Sequence, residues 1–386
     1  MKRLLFAIYG FSFFNKFLLL TPVYAIFMQQ NGIGDVLLSM LFVVSSAATV
    51  LGQMPITYVV NRFGARNAMI FGQGLKTVAI LMWLFIPNTF GFITGISLWG
   101  IRAGFRSVAF EGLIYDVVSA HHKTRDYTRI LGRKATLESI GVALSATGSL
   151  LMFLGYAWVT WASVVAMLMS IGCLLLIPRR KSGTSYNTNV FKEFRTGIRT
   201  CLKIPCLMPV MLLALLVVNV PYLDDFLSPI GVQLGIATEY VGIVPFFLLL
   251  CATIGQRFAY LFNRASDIVI YCAVGIVGIL YMLFGYVYTP GALWMLGVSY
   301  TLTWGAYTLL YSRFQHMIPP KHRSVILSLF TTLTYLVYML VCGIIGLGAM
   351  WGSWRYSIFI IGIVVIMVCV WALLFVRTKK CSLVRN

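Results

Sequence analysis

Lysine and arginine are missing from three long stretches of this chain: Ala135 to Pro178, Ile204 to Gln256, and Ala265 to Ser312. Each stretch has room for two helices crossing a bilayer, whose core of roughly 30 Å needs about 20 mostly apolar residues per span. The basic residues gather between the gaps, in groups such as Arg179-Arg180-Lys181 and Arg377, Lys379 and Lys380. The positive-inside rule produces that alternation. The 386 residues are 60% hydrophobic and 10% charged, and the mean hydropathy is +0.90, so the apolar surface has to face lipid. Unpaired backbone is too costly in hydrocarbon, and the apolar runs lack period-two alternation. The spans therefore read as helices rather than barrel strands. A net charge of +20 suits a nucleic-acid binder only when it covers a hydrophilic domain, and this chain has none.

The pattern predicts an all-α membrane protein of twelve transmembrane helices. The spans begin near Leu4, Val36, Ala68, Gly91, Ala135, Trp158, Leu207, Tyr240, Ile268, Gly291, Ser324 and Trp354. The start, Met1-Lys2-Arg3, resembles a signal peptide. The apolar stretch nevertheless continues to about Met28 without a small-residue cleavage pattern, so it reads as a retained first span. With twelve spans, one side receives both termini and 25 of the 30 lysines and arginines, and the opposite loops receive only Arg355. The basic side is the cytoplasm, with both termini on it. The remaining four, Lys16, Lys76, Arg102 and Arg106, fall inside spans.

The longest connection divides the chain into a six-helix bundle over 1–178, a cytoplasmic linker over 179–206, a second six-helix bundle over 207–376 and a basic cytoplasmic tail over 377–386. Within the linker, Phe191, Phe194, Ile198 and Leu202 fall near helical spacing with Lys192, Arg195 and Arg199 elsewhere. That fits either a helix lying on an anionic inner leaflet or a solvated linker. The halves repeat: Asn61-Arg62 returns as Asn263-Arg264 at an offset of 202, and Lys123-x-Arg125 as Lys321-x-Arg323 at 198. Duplicated six-helix units are a common build for secondary transporters.

Two stretches resemble the major facilitator superfamily. After span two that family carries a pattern like G-x-x-x-D-R-x-G-R-[RK]. Here Thr57 to Arg66 keeps Arg62, Gly64 and Arg66, with Asn61 at the acidic position, Thr57 at the first glycine and Ala65 at a basic position. The end of span four, Ser107 to Asp116, resembles the S-G-x-x-E-A-L-x-Y-D of a bacterial subgroup through Ser107, Glu111, Leu113, Tyr115 and Asp116. Gly132-Arg133 matches the G-R pair that opens its fifth span. The resemblance implies two pseudo-symmetric six-helix bundles that alternate access, a bacterial cytoplasmic (inner) membrane location, and a central cavity lined by spans one, four, seven and ten.

A charge at mid-bilayer costs above about 2.5 kcal/mol, so such residues mark a pathway or a partner. Lys16 lies midway along span one, and Arg102 and Arg106 lie one turn apart on span four. Asp224 and Asp225 lie in span seven between Pro221 and Pro229, each expected to distort the helix. On span ten, Tyr300, Trp304, Tyr307 and Tyr311 share a face, which suits an amphipathic substrate or, equally, helix packing. The candidate substrate site is Lys16, Arg102, Arg106, Asp224, Asp225, Tyr300, Trp304 and Tyr307, with Asp224 or Asp225 taking a coupling proton. Permanent pairing of the arginines with those aspartates is the alternative. Asn61, Arg62, Gly64, Glu111, Asp116, Arg133 and Glu138 read as a gating or structural network. Lys76 is on span three, an outer helix in the family, and stays outside the site.

Cations in one half and carboxylates in the other point to a proton-coupled transporter of a small anionic or zwitterionic organic solute, such as a carboxylate metabolite or a siderophore, acting as a monomer in the lipid bilayer. The alternatives are a multidrug/proton antiporter, motivated by span ten, and a non-transporting receptor, motivated by Asn61 and Ala65. The eight cysteines form no CxxC. His121, His122, His316 and His322 lie in or beside loops, with no nucleophile triad or phosphate loop. No metal, cofactor or enzymatic activity is expected.

Overall fold

The computed structural model describes residues 2–119, 127–178, 190–204, 207–262, 265–318 and 323–379, and the regular elements among them are all helices, with no strand. The helices of the first half are α1 (Lys2–Lys16), α2 (Tyr24–Gln30), α3 (Asp35–Phe63), α4 (Ala65–Phe85), α5 (Thr89–Ser119), α6 (Tyr127–Ser145), α7 (Thr147–Leu150) and α8 (Tyr156–Leu175). Helix α9 (Val190–Lys203) follows. The second half then holds α10 (Leu207–Asn219), α11 (Leu227–Gln233), α12 (Ile243–Phe258), α13 (Asp267–Val287), α14 (Leu293–Met317), α15 (Arg323–Ala349) and α16 (Trp354–Lys379).

Eight helices among the described residues are long and apolar enough to cross a membrane. They correspond to the expected spans two, three, five, six, eight, nine, eleven and twelve. The expected spans one, four, seven and ten are the four that fall short. Span one is broken into α1 and α2, and span seven into α10 and α11. Span four, α5, carries Arg102 and Arg106, and span ten, α14, is diluted by tyrosine, threonine and tryptophan. Breaks and polar groups are tolerated at membrane depth only where protein or a water-filled cavity covers them. The four broken or polar spans are thus set apart from the eight by physical chemistry alone.

The two breaks are copies. Each spans seven residues, 17–23 and 220–226, and each leads into a seven-residue helix. Each helix ends on a glycine at positive φ, Gly32 (φ 89°) and Gly235 (φ 88°). There the amide of Ile33 bonds to the carbonyl of Met28, and that of Ile236 to the carbonyl of Gly231, the Schellman pattern that needs a left-handed residue. The starts of α2 and α11, and the two glycines, are each 203 residues apart. Pro221 lies in the second break. Pro229, expected to distort the span, sits instead in the first turn of α11, where a helix needs no N–H from it.

Chain contacts divide the molecule into two units. Unit 1 comprises 1–34, 44–190 and 237–243, and unit 2 comprises 35–43, 191–236 and 244–386. In unit 1 an apolar core gathers Ala7, Ile8 and Phe11 of α1 with Phe105, Ala109 and Phe110 of α5, and Phe11 meets Phe110 edge-on at 4.7 Å. In unit 2 the largest pairing is α13 along α16. Helix α9 belongs to unit 2 and packs through Gly197 and the fully buried Cys201. A Cβ on Gly197 would lie 3.1 Å from Leu329 Cβ on α15. Leu202 is left exposed at its end. The side chains of Phe191, Lys192 and Phe194 lie outside those described.

Candidate functional site

In unit 1, α1, α4, α5 and α8 place polar side chains on one buried network. Gln73 of α4 is its hub. Its Nε2 donates to Asn15 Oδ1 (3.2 Å) and to Ser170 Oγ (2.8 Å), while its Oε1 accepts from Arg102 Nε at 2.7 Å. Lys76, one turn beyond Gln73, is 3% exposed and sets its Nζ 4.2 Å from the centroid of the Trp99 ring. Trp99 precedes Arg102 by one turn on α5, so Gln73 and Lys76 face Trp99 and Arg102 across the α4–α5 contact. Behind Trp99, Trp83 and Tyr24 lie nearly parallel at 5.4 and 6.2 Å. Lys16 ends α1 just before the first break, where the helix dipole favours a cation.

Arg106 is engaged differently. Its Nη2 meets Glu138 Oε1 of α6 at 2.7 Å, and Lys134 approaches the same oxygen at 3.7 Å. Both cations lie near the Phe110 ring. Arg102 and Arg106, one turn apart on α5, therefore have distinct partners: an uncharged amide for the first, a carboxylate for the second.

In unit 2 the polar centre is the second break. Tyr281 of α13 donates its hydroxyl to the carbonyl of Pro221 at 2.6 Å. Tyr300 of α14 receives the amide of Leu223 at 3.3 Å and donates to Asp224 Oδ1 at 3.0 Å. Tyr338 of α15 donates to Asp225 Oδ2, and its ring meets Tyr222 edge-on at 5.6 Å. Three phenols from three helices thus converge on seven residues of non-helical backbone. Of the other span-ten rings, Trp304 meets Tyr307 edge-on, Tyr307 stacks on Tyr311 at 5.4 Å, and Tyr311 packs against Phe314 and Phe330.

The loop motif between α3 and α4 has its own geometry. Gly64 separates α3 from α4 at φ 82°, a conformation glycine adopts without penalty. Arg62 donates to Tyr58 Oη at 2.9 Å. Arg66 donates to the carbonyls of Leu174 and Leu175, capping the end of α8. Asn61 closes the last turn of α3. Glu138 joins Arg106 and Lys134, while Arg133 is exposed. The side chains of Glu111 and Asp116, and all of Lys123, Arg125, Asn263 and Arg264, lie outside those described. Among the described residues no group of His, Cys, Asp or Glu is placed to hold a metal.

Sequence reasoning set Lys76 aside and did not single out Gln73, Asn15, Trp99, Tyr281 or Tyr338. One signal for Lys76 was present: it was among the four basic residues that broke the charge sorting. The broken-span repeat was also readable, as Gln30-x-Gly32-Ile33 and Gln233-x-Gly235-Ile236.

Twelve expected spans in two repeats, with the first span of each broken beside charged side chains, fit the build of a membrane transport protein. The sequence matches the Major Facilitator Superfamily over residues 5–341, and the chain belongs to that family. No curated protein matches it. Among solved structures it is similar to the nucleoside transporter NupG (TM-score 0.76, 12% identity, covering 98% of this chain and 99% of that one). It is also similar to a D-xylose-proton symporter (0.73, 13%, 96% and 96%) and to the POT family transporter PepTSo (0.74, 10%, 98% and 98%). Identities this low carry the fold and nothing about cargo.

Proposed function

We propose that this chain is a proton-coupled secondary transporter for a small anionic organic solute, such as a carboxylate metabolite or a siderophore, working as a monomer in a bacterial cytoplasmic membrane with both termini inside. The observation that carries this reading is the buried donor network of unit 1. Arg102 is oriented by Gln73, Lys76 lies beside Trp99, and Lys16 ends the adjoining helix. An oriented guanidinium is the group best suited to grip a carboxylate or phosphate.

Asp224 and Asp225 are the proton carriers in this reading. Each accepts a hydrogen bond from a phenol. Protonation turns a carboxylate oxygen from acceptor to donor, so the Tyr300 or Tyr338 bond has to rearrange. Because Tyr300 also receives the Leu223 amide, that rearrangement reaches the backbone of the break. The structural neighbours include a proton symporter, which is consistent with ion coupling. The antiporter reading leans on the span-ten rings, and those at Tyr307 and Tyr311 are occupied by packing on one another and on Phe330.

Proteoliposomes loaded with candidate anions test the proposal. Flux driven by a pH gradient is expected in the wild type and lost in Arg102→Ala. Unchanged flux in that variant removes the site assignment. Ligand binding without counterflow favours a receptor.

A further inference from the structure

Burying a lysine inside a membrane protein usually requires a carboxylate within ion-pair distance, and Lys76 has none among the described residues. Its partner is the face of Trp99, backed by Trp83 and Tyr24. A ring face stabilises an ammonium electrostatically, without the conventional N–H···O bonds that a carboxylate would take from it.

The neighbouring groups are short of acceptors as well. Gln73 Oε1 is occupied by Arg102, and Asn15 Oδ1 and Ser170 Oγ are occupied by Gln73. Asn15 is 1% exposed, and its Nδ2 has no hydrogen-bond partner among the described residues. Glu138, a carboxylate of the same unit, is taken by Arg106 and Lys134. Among the described residues the Gln73, Asn15 and Ser170 acceptors named here are thus all engaged, and buried donors are rarely left unmatched. A ligand rich in acceptors would restore the balance.

We propose that Lys76 is a substrate-contact residue and that the site around it and Arg102 takes an oxyanion carrying two or more negative charges. Two basic side chains on the α4–α5 contact, Lys76 on the Trp99 ring and Arg102 on the Gln73 amide, offer donors to two anionic oxygens. The aromatic backing holds Lys76 in place without a carboxylate of the protein's own. The inference rests on the anion-transport reading above and narrows it from any small anion to a multivalent one. Di- or tricarboxylates and phosphate groups share this chemistry.

The test is binding to the purified full-length protein in detergent, read by the thermal unfolding midpoint and by intrinsic tryptophan fluorescence. The probes are acetate, succinate, citrate and inorganic phosphate. Succinate, citrate or phosphate is expected to bind at least ~10-fold more tightly than acetate, which corresponds to about 1.4 kcal/mol. Lys76→Gln should erase that preference while leaving acetate binding in place, and Lys76→Arg should keep it. Trp99→Phe should diminish the fluorescence response. Succinate against phosphate separates the two sources of the oxyanion. If Lys76→Gln binds the multivalent probes as tightly as the wild type, the inference falls and the anion reading stands. The inference falls in the same way if acetate binds as well as citrate. If no probe binds the wild type, both fall. An unfolded Lys76→Gln leaves Lys76→Arg to decide: its loss of the multivalent preference overturns the inference.

Discussion

Spans one and seven break at matching places, over residues 17–23 and 220–226, yet different groups satisfy the freed backbone. The first break is held largely by close backbone approach. Leu19 lies against Gly148 so tightly that a Cβ there would fall 1.8 Å from the Leu19 carbonyl oxygen, and the Leu20 amide donates to Ser163 Oγ at 2.9 Å. The second break is held by tyrosines, with Tyr281 on Pro221 and Tyr300 on Leu223. Cations and amides flank the first, and two carboxylates lie within the second. A duplicated backbone device can therefore acquire opposite chemistry in its two copies. Every break must have its polar groups satisfied, but any neighbouring donor or acceptor will serve.

That contrast can be broken or sharpened by substitution. The largest effect is expected from Gly148→Val, which forces a side chain into the Leu19 backbone at a cost of about 3 kcal/mol or more. A fluorescent fusion should lose its monodisperse size-exclusion peak. A wild-type profile would mean the first break does not depend on that approach. Next, Asp225→Asn removes a charge-assisted bond with Tyr338, worth about 1.5–3 kcal/mol. Proton-driven uptake is expected to fall roughly 10–100-fold, with counterflow retained. Equal loss of both would make Asp225 a structural rather than a coupling group.

A smaller effect is expected from Gln73→Leu, which leaves Arg102 Nε without its amide acceptor. Anion affinity should drop about 10-fold, near 1.4 kcal/mol, while Tyr281→Phe in the other unit leaves it unchanged. Matching losses from both would erase the proposed division between a cationic and an acidic centre. The smallest effects are those of Ser163→Ala and Tyr281→Phe. Each removes one uncharged hydrogen bond to a break, about 1 kcal/mol of stability. Thermal unfolding in detergent should rank both well below Gly148→Val.

Particular residues show where sequence reading ran out. Arg102 and Arg106 were legible as charges inside a span because both fall in the middle of an apolar stretch. That Arg102 meets an amide and Arg106 a carboxylate was not legible, since both lie on one face of α5 and only the neighbours α4 and α6 distinguish them. Lys76 was set aside on a helix-level argument, whereas its burial depends on rotation about the helix axis and on Trp99 across the contact. Asp224 and Asp225 were visible beside Pro221, but their phenol partners sit 76 and 113 residues away. The proline at 229 promised a second distortion and instead occupies a helix start.

The sequence by itself determined that this is a helical membrane protein, how its charge sorts between the two sides, and which residues violate the apolar rule. Those properties are sums over local stretches, and the bilayer reads them locally: a run of some 20 apolar residues partitions into lipid whatever lies elsewhere in the chain. Tertiary structure decided where spans one and seven break, that Gln73 links three helices, and that Lys76 rests on tryptophan rather than a carboxylate. These are pairings between residues far apart in the chain. Successive side chains turn about 100° around each helix, so a small change in rotation or in the neighbouring helix would choose other partners from the same sequence.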